Sequence, residues 1–153
     1  MSSINIPARN QRSPFASMKV HHFGVRVPDF AAARRWYVEK LDFRVVHEWR
    51  FADLNVGYLA PASDDTFFVE LLGDGQPGPA PKPVYRDLAD SLRLGGFHHL
   101  CLSIASVDHA AAELRRRDVP LVTEPFEVSE IGRRFAVVAD PWGNLIALAQ
   151  VLG

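Results

Sequence analysis

The sequence predicts an α+β fold made of two βαβββ modules, and three observations predict it. A segment near the start and one past the middle are alike; each is followed by a capped helical stretch; and each helical stretch is followed by three β-rich runs. His22-Phe-Gly-Val-Arg-Val27 matches His99-Leu-Cys-Leu-Ser-Ile104, and the offset from His22 to His99 is 77 residues. The same offset carries Phe30 to Val107, Ala33 to Ala110, Tyr37 to Leu114, and Val69-Glu-Leu71 to Ile146-Ala-Leu148, with no gap. One offset that aligns three separated segments means one supersecondary unit present twice.

Taken in order, residues 1–17 are polar, carry Pro7 and Pro14, and lack an apolar core for a secretory signal. Arg and Ser without acids also mark transit peptides, but the amphipathic period is missing, so the reading is a mobile arm. The first module spans residues 18–73. In His22–Val27 the residues Phe23, Val25 and Val27 alternate with His22, Gly24 and Arg26, the period of a half-buried strand. Asp29 is a helix N-cap, and Phe30, Ala33, Tyr37 and Leu41 recur at helical spacing. Three strands follow, at Phe43–Phe51, Leu54–Ala60 and Thr66–Leu72. Residues 74–94 form a linker: Pro77, Pro79, Pro81 and Pro83 make it stiff and extended, and Val84–Leu94 reads as a short helix stopped by Gly95-Gly96. The second module spans residues 95–153. Ser106 caps a helix with the stripe Val107, Ala110, Ala111 and Leu114, and Arg115, Arg116 and Arg117 close it, where cations suit the helix dipole. Its strands are Leu121–Val128, Arg133–Ala139 and Leu145–Val151, the last preceded by the turn-rich Asp140-Pro-Trp-Gly-Asn144.

Composition narrows the function. The chain has 153 residues, 48% apolar and 23% charged, enough to bury a core without disulfides. Lys and Arg number 17 against 18 acids, a net charge of -1, so nothing sets the chain up to neutralise phosphates and nucleic acid is not expected as a partner. No apolar run reaches the roughly 20 residues that span a bilayer, so no membrane partner is expected either. A lone cysteine, Cys101, excludes an internal disulfide framework and any multi-cysteine metal site. The expectation is a reduced, cytoplasmic protein that handles a small molecule.

The repeat then sorts the histidines. His22 shares a strand face with Gly24 and Arg26, and His99 shares one with Cys101 and Ser103; both are the concave face, away from the helix. Glu70 alternates with apolar neighbours in the last strand of the first module, and a carboxylate there is paired or bound to metal. A pseudo-twofold axis between the copies would bring His22 and His99 face to face, with Glu70 beside them. Two imidazoles and a carboxylate suit one divalent first-row ion (iron, manganese, nickel or zinc), with positions left open for water or substrate. The competing reading is two satisfied interior histidines, with Glu70 paired to Arg26 or Arg50.

These residues resemble a known family. The first strand, Pro28-Asp29, Trp36-Tyr37 and Leu41-Asp-Phe43, with Gly96-Phe-His-His99-Leu and Asp140-Pro-Trp-Gly-Asn-Leu-Ile-Ala147, are similar to the modules of the vicinal oxygen chelate superfamily. That superfamily includes glyoxalases (lactoylglutathione lyase), extradiol dioxygenases, methylmalonyl-CoA epimerase, and fosfomycin and bleomycin resistance proteins. The resemblance covers about residues 18–151. It implies paired modules forming a cup-shaped mixed sheet with helices outside, a metal in the cup, and a homodimer. Cupped sheets also leave edges and apolar surface to cover. Carried over by motif, the family's four ligand positions are His22, Glu70, His99 and Ala147. The fourth departs from the pattern, because members usually carry Glu there. Its loss opens a coordination position and removes the usual proton-transfer base.

The function this implies is metal-dependent chemistry of the glyoxalase type, lyase or isomerase, on a small oxygen-bearing substrate that chelates the ion. The catalytic base would be Glu70, a metal-bound hydroxide, or an acid from the Glu124–Glu130 segment. The alternatives are an extradiol-type dioxygenase and a metal-free binding or resistance protein. Arg26, Trp49, Cys101, Ser103 and Arg133 are the candidate lining of the substrate pocket.

Overall fold

The computed structural model describes residues 4–93 and 95–153; Met1–Ser3 of the arm and Leu94, the expected end of the linker helix, lie outside the described residues. The first module runs β1 (His22–Arg26), α1 (Phe30–Leu41), β2 (Arg44–Phe51), β3 (Leu54–Ala60) and β4 (Phe68–Asp74). A one-turn helix α2 (Leu88–Ser91) lies in the linker. The second module runs β5 (His99–Ser103), α3 (Val107–Arg116), β6 (Leu121–Val128), β7 (Arg133–Ala139) and β8 (Leu145–Val151), with a single 3-10 turn at Ser129–Ile131. The fold is α+β: two four-stranded mixed sheets of order β1-β4-β3-β2 and β5-β8-β7-β6, in which only the β1–β4 and β5–β8 pairs are parallel.

The two long helices start on side-chain caps. Asp29 Oδ1 accepts from the Ala32 N–H at 2.8 Å, and Ser106 Oγ from the His109 N–H at 3.2 Å. Asp42 stops α1 in the left-handed region at φ 55°. Each helix lays its buried stripe on its own sheet: Phe30, Ala33 and Tyr37 in α1, and Val107, Ala110, Ala111 and Leu114 in α3. The helix start is pressed onto β4, because a Cβ at Gly73 would stand 2.3 Å from Phe30 Cβ.

One apolar core joins the modules. It runs from Val25, Leu59, Val69 and Leu71 through Tyr37 to Val107, Leu114, Val138 and Ile146. Polar contacts lock the same seam. The buried Tyr37 hydroxyl donates to Asp140 Oδ2 at 3.1 Å, and Arg117 grips Asp42 through both Nη atoms at 2.8 and 3.0 Å.

Several element boundaries differ from those the sequence suggests, and two of the differences have a local cause. The strand expected from Thr66 begins at Phe68, because Asp64 Oδ1 accepts from both the backbone and the hydroxyl of Thr66 and holds that segment as a turn. The helix expected over Val84–Leu94 is one turn, started at Asp87, whose side chain accepts from the Asp90 N–H. Before it, Tyr85 packs onto the helix-free face of the second sheet with Val137, Leu145 and Ala147.

Candidate metal and ligand site

On β1 the residues His22, Gly24 and Arg26 register beside Phe68, Glu70 and Leu72 of β4, and strand partners share a face. Tyr58 of β3 is the partner of Glu70, and His47 of β2 is the partner of Tyr58. The helix-free face of the first module is therefore a histidine and a carboxylate set among rings. His22 Nε2 lies 3.5 Å from Glu70 Oε2. Tyr58 stacks on Phe68 with centroids 5.4 Å apart, Trp49 meets Tyr58 edge-on at 4.8 Å, and His47 stacks on Trp49 at 5.7 Å. The tilted ring of His22 is 5.4 Å from Tyr58. Glu48 points the other way and pairs with Arg34 of α1 at 2.7 Å.

The cationic partners suggested for Glu70 are engaged elsewhere. Arg26 folds back on the ends of its own sheet, donating to the carbonyl oxygens of Val27, Leu72 and Asp74. Arg50 donates to Asn55 Oδ1 at 3.1 Å.

In the second module the equivalent face carries His99, Cys101 and Ser103 beside Leu145, Ala147 and Ala149 of β8. Burial, and then the neighbouring His98, holds His99 below the ordinary histidine value. Burial pushes the Cys101 thiol up. Arg133 Nη1 donates to the Gly132 carbonyl at 3.1 Å. Ala147, the fourth position implied by the resemblance, is only 3% exposed and lies in the apolar cluster under Tyr85. The place where a carboxylate would add a ligand is filled by apolar side chains.

Two cavities lie between the modules. The larger, about 1180 Å³, is mostly apolar, with Phe23, Phe43, Leu100 and Leu102 among its walls. The smaller, about 490 Å³, is bordered by both edge strands and lined by His22, Arg26, Phe97, His99 and Asn144. Donor chemistry places the site at the smaller one, although His22 borders both.

The donors present bear on the implied metal directly. Two ligand atoms about 2.1 Å from one ion, at tetrahedral or octahedral angles, are roughly 3.0–3.4 Å apart. The His22–Glu70 separation of 3.5 Å fits such an edge after a shift of about a tenth of an ångström. Among the described residues no three metal-binding side chains gather around one point. The first module thus offers a two-donor edge, and His99 lines the same cleft without completing a cluster.

A family model described as the Glyoxalase/Bleomycin resistance protein/Dioxygenase superfamily matches residues 19–148. The chain belongs to this superfamily. Among curated proteins it is similar to the uncharacterized protein YwkD of Bacillus subtilis (strain 168), 28% identical over 123 residues, covering 80% of this chain and 88% of YwkD. Among solved structures it is similar to TnmS3, an antibiotic binding protein from Streptomyces sp. CB03234, with a TM-score of 0.66 and 25% identity over 88% of this chain and 96% of that one. A glyoxalase I variant from Zea mays shares the fold, with a TM-score of 0.68 and 19% identity, over 88% of this chain and 46% of the maize chain.

Sequence reasoning brought His22 and Glu70 to one face, and the structure puts them in contact. It did not find Tyr58 or Phe68, which build the ring wall with Trp49. Their period-two positions were visible, but the register that sets Tyr58 opposite Glu70 is a cross-strand property.

Proposed function

We propose that this superfamily member is a divalent-metal-dependent enzyme acting on a small oxygen-bearing substrate by glyoxalase-type lyase or isomerase chemistry. The observation that carries the reading is the His22–Glu70 donor pair on a ring-lined face beside the inter-module cleft. His22 and Glu70 would hold the ion with His99 as third ligand, and the ion would supply Lewis acidity toward substrate oxygens. Glu70 is the general base of the reading, accepting the proton that leaves the carbon beside a carbonyl. Trp49, Tyr58 and Phe68 form the wall that excludes water from that exchange. The active form is a cytoplasmic homodimer, supported by exposed Val45, Val46 and Phe51 on the edge strand β2 and by His22 and His99 on the edge strands β1 and β5.

Metal analysis of protein purified without added metal tests this. One divalent ion per site is expected, lost in His22→Ala and in Glu70→Gln; equal content in wild type and both variants overturns it. Light scattering at micromolar concentration tests the dimer. In a mixture of His22→Ala and His99→Ala chains, recovered metal marks a site shared between copies. Isomerisation of hemithioacetals under nickel or zinc, set against oxygen uptake with catechols under iron(II), separates lyase from dioxygenase chemistry.

A second reading is a metal-free binding protein. It is favoured by the ring wall, by the apolar cover over Ala147, and by the likeness to TnmS3. Ligand binding that survives both chelator and His22→Ala would select it.

A further inference from the structure

The one-turn helix α2 starts a chain of hydrogen bonds that ends on His99. Ser91 is 1% exposed. Its Oγ lies 2.6 Å from the Leu88 carbonyl oxygen and 2.9 Å from His98 Nε2. His98 Nδ1 in turn lies 2.9 Å from His99 Nδ1, with the two rings edge-on at 88°.

Donor counting gives this chain a direction. A hydroxyl has one proton, and a carbonyl oxygen only accepts. The 2.6 Å contact is a normal O–H···O distance, and without a proton in it two oxygens would face each other lone pair to lone pair. The Ser91 proton therefore goes to Leu88, and Ser91 Oγ accepts from His98 Nε2–H. A neutral imidazole carries one N–H, so His98 Nδ1 is an acceptor. His99 must then donate from Nδ1, and its Nε2 is left bare.

We propose that Ser91 and His98 are positioning residues that lock His99 in the tautomer protonated on Nδ1, so that its Nε2 presents a lone pair. The motif is built into the repeat. His21 and His22 make the same contact in the first copy, Nδ1 to Nδ1 at 2.7 Å, and His22 Nε2 is the atom that faces Glu70. A fixed outer partner of this kind sets ring orientation and raises ligand basicity. The relay rests on the metal reading only for its purpose; the tautomer itself is a property of the metal-free chain.

Long-range proton–nitrogen correlation spectra of the full-length protein, labelled with ¹⁵N-histidine, metal-free and near pH 8, show which ring nitrogen bears each proton. Expected in the wild type are His99 protonated on Nδ1 and His98 on Nε2. Ser91→Ala should mix the tautomers of both rings. His98→Phe keeps a ring at the position, and should move His99 to the form protonated on Nε2. Zinc titration of His98→Phe should show affinity weakened by about 10–100-fold. Wild-type His99 protonated on Nε2, or His99 unchanged in both variants, overturns the relay. A wild type with the expected tautomer that binds none of zinc, nickel, manganese and iron(II) upholds the relay and refutes the metal reading.

Discussion

Removing one oxygen atom, by Tyr37→Phe, should weaken the seam between the modules by a calculable amount. The Tyr37 hydroxyl is buried and donates to Asp140 Oδ2 across the seam. Hydrogen bonds to charged groups contribute about 1.5–3 kcal/mol. Asp140 keeps three other donors, the N–H groups of Trp142 and Asn144 and the Asn144 side-chain amide, so it is not left unpaired. The loss should therefore fall at the low end, about 1.5 kcal/mol. For a chain of this size that lowers Tm by roughly 3–6 °C. Asp140→Ala removes all four accepted bonds and strands the Tyr37 hydroxyl, which burial already keeps protonated to well above its ordinary value. That variant should lose about 3–5 kcal/mol. Urea unfolding measures both, and the slope m should be unchanged in Tyr37→Phe. A Tyr37→Phe variant as stable as wild type refutes the bond's contribution. Equal losses in the two variants refute the claim that Asp140 organises its own turn as well as the seam.

Gly73→Ala should cost at least about 3 kcal/mol, since the new Cβ meets backbone atoms of Phe30 at 2.5 and 2.6 Å, while Gly78→Ala, with nothing within 4 Å, should be neutral in the same urea assay. Hydrogen bonds from Arg116, then Arg117, hold Glu113 down at about 2. Its folded value is thus below its unfolded one of about 4.5, so its stabilisation is present above that pH and is lost as pH falls toward about 2. Glu113→Gln should flatten stability against pH over that window; an unchanged profile counts against the pairing. With its thiol pushed up by burial, Cys101 should react with alkylating reagents more slowly at pH 7.5 than an unfolded control, and equal rates would contradict this.

Much of this fold was legible because local chemistry and the repeat agreed. Asp29 and Ser106 announced helix starts, and the alternation in His22–Val27 announced a strand that keeps Val25 and Val27 in the core. Where side chains reach outside their own segment, legibility ended. Thr66 looked like a strand start, but Asp64 two residues earlier claims both its donors. Tyr85 looked like part of a helix, but it is drawn to an apolar patch made by β7 and β8. The site divides in the same way. The parity of His22 and Glu70 can be read along each strand, whereas the ring wall depends on register between β2, β3 and β4. The contacts of His21 and His98 were hidden for a further reason: a residue at a strand's edge, adjacent to the ligand candidate, should face away from it, and only the ring rotations bring the two Nδ1 atoms together.

The parallel pairing of β1 with β4, and of β5 with β8, also governs when this site can come into being. His22 finds its register opposite Phe68, and His99 opposite Leu145, each 46 residues further along. The antiparallel hairpin between them, by contrast, closes Phe51 onto Leu54. Closing long loops costs entropy before contacts return it, so the meanders β2–β3–β4 and β6–β7–β8 should assemble early and the histidine strands should dock onto them afterwards. Mutations in β1 and β5 should accordingly speed unfolding far more than they slow folding. A ribosome-bound chain holds His99 for some fifty residues of synthesis before β8, the sole sheet neighbour of β5 among the described residues, has emerged to receive it. Within its own module each of these imidazoles is therefore made before the strand that receives it, β4 for His22 and β8 for His99.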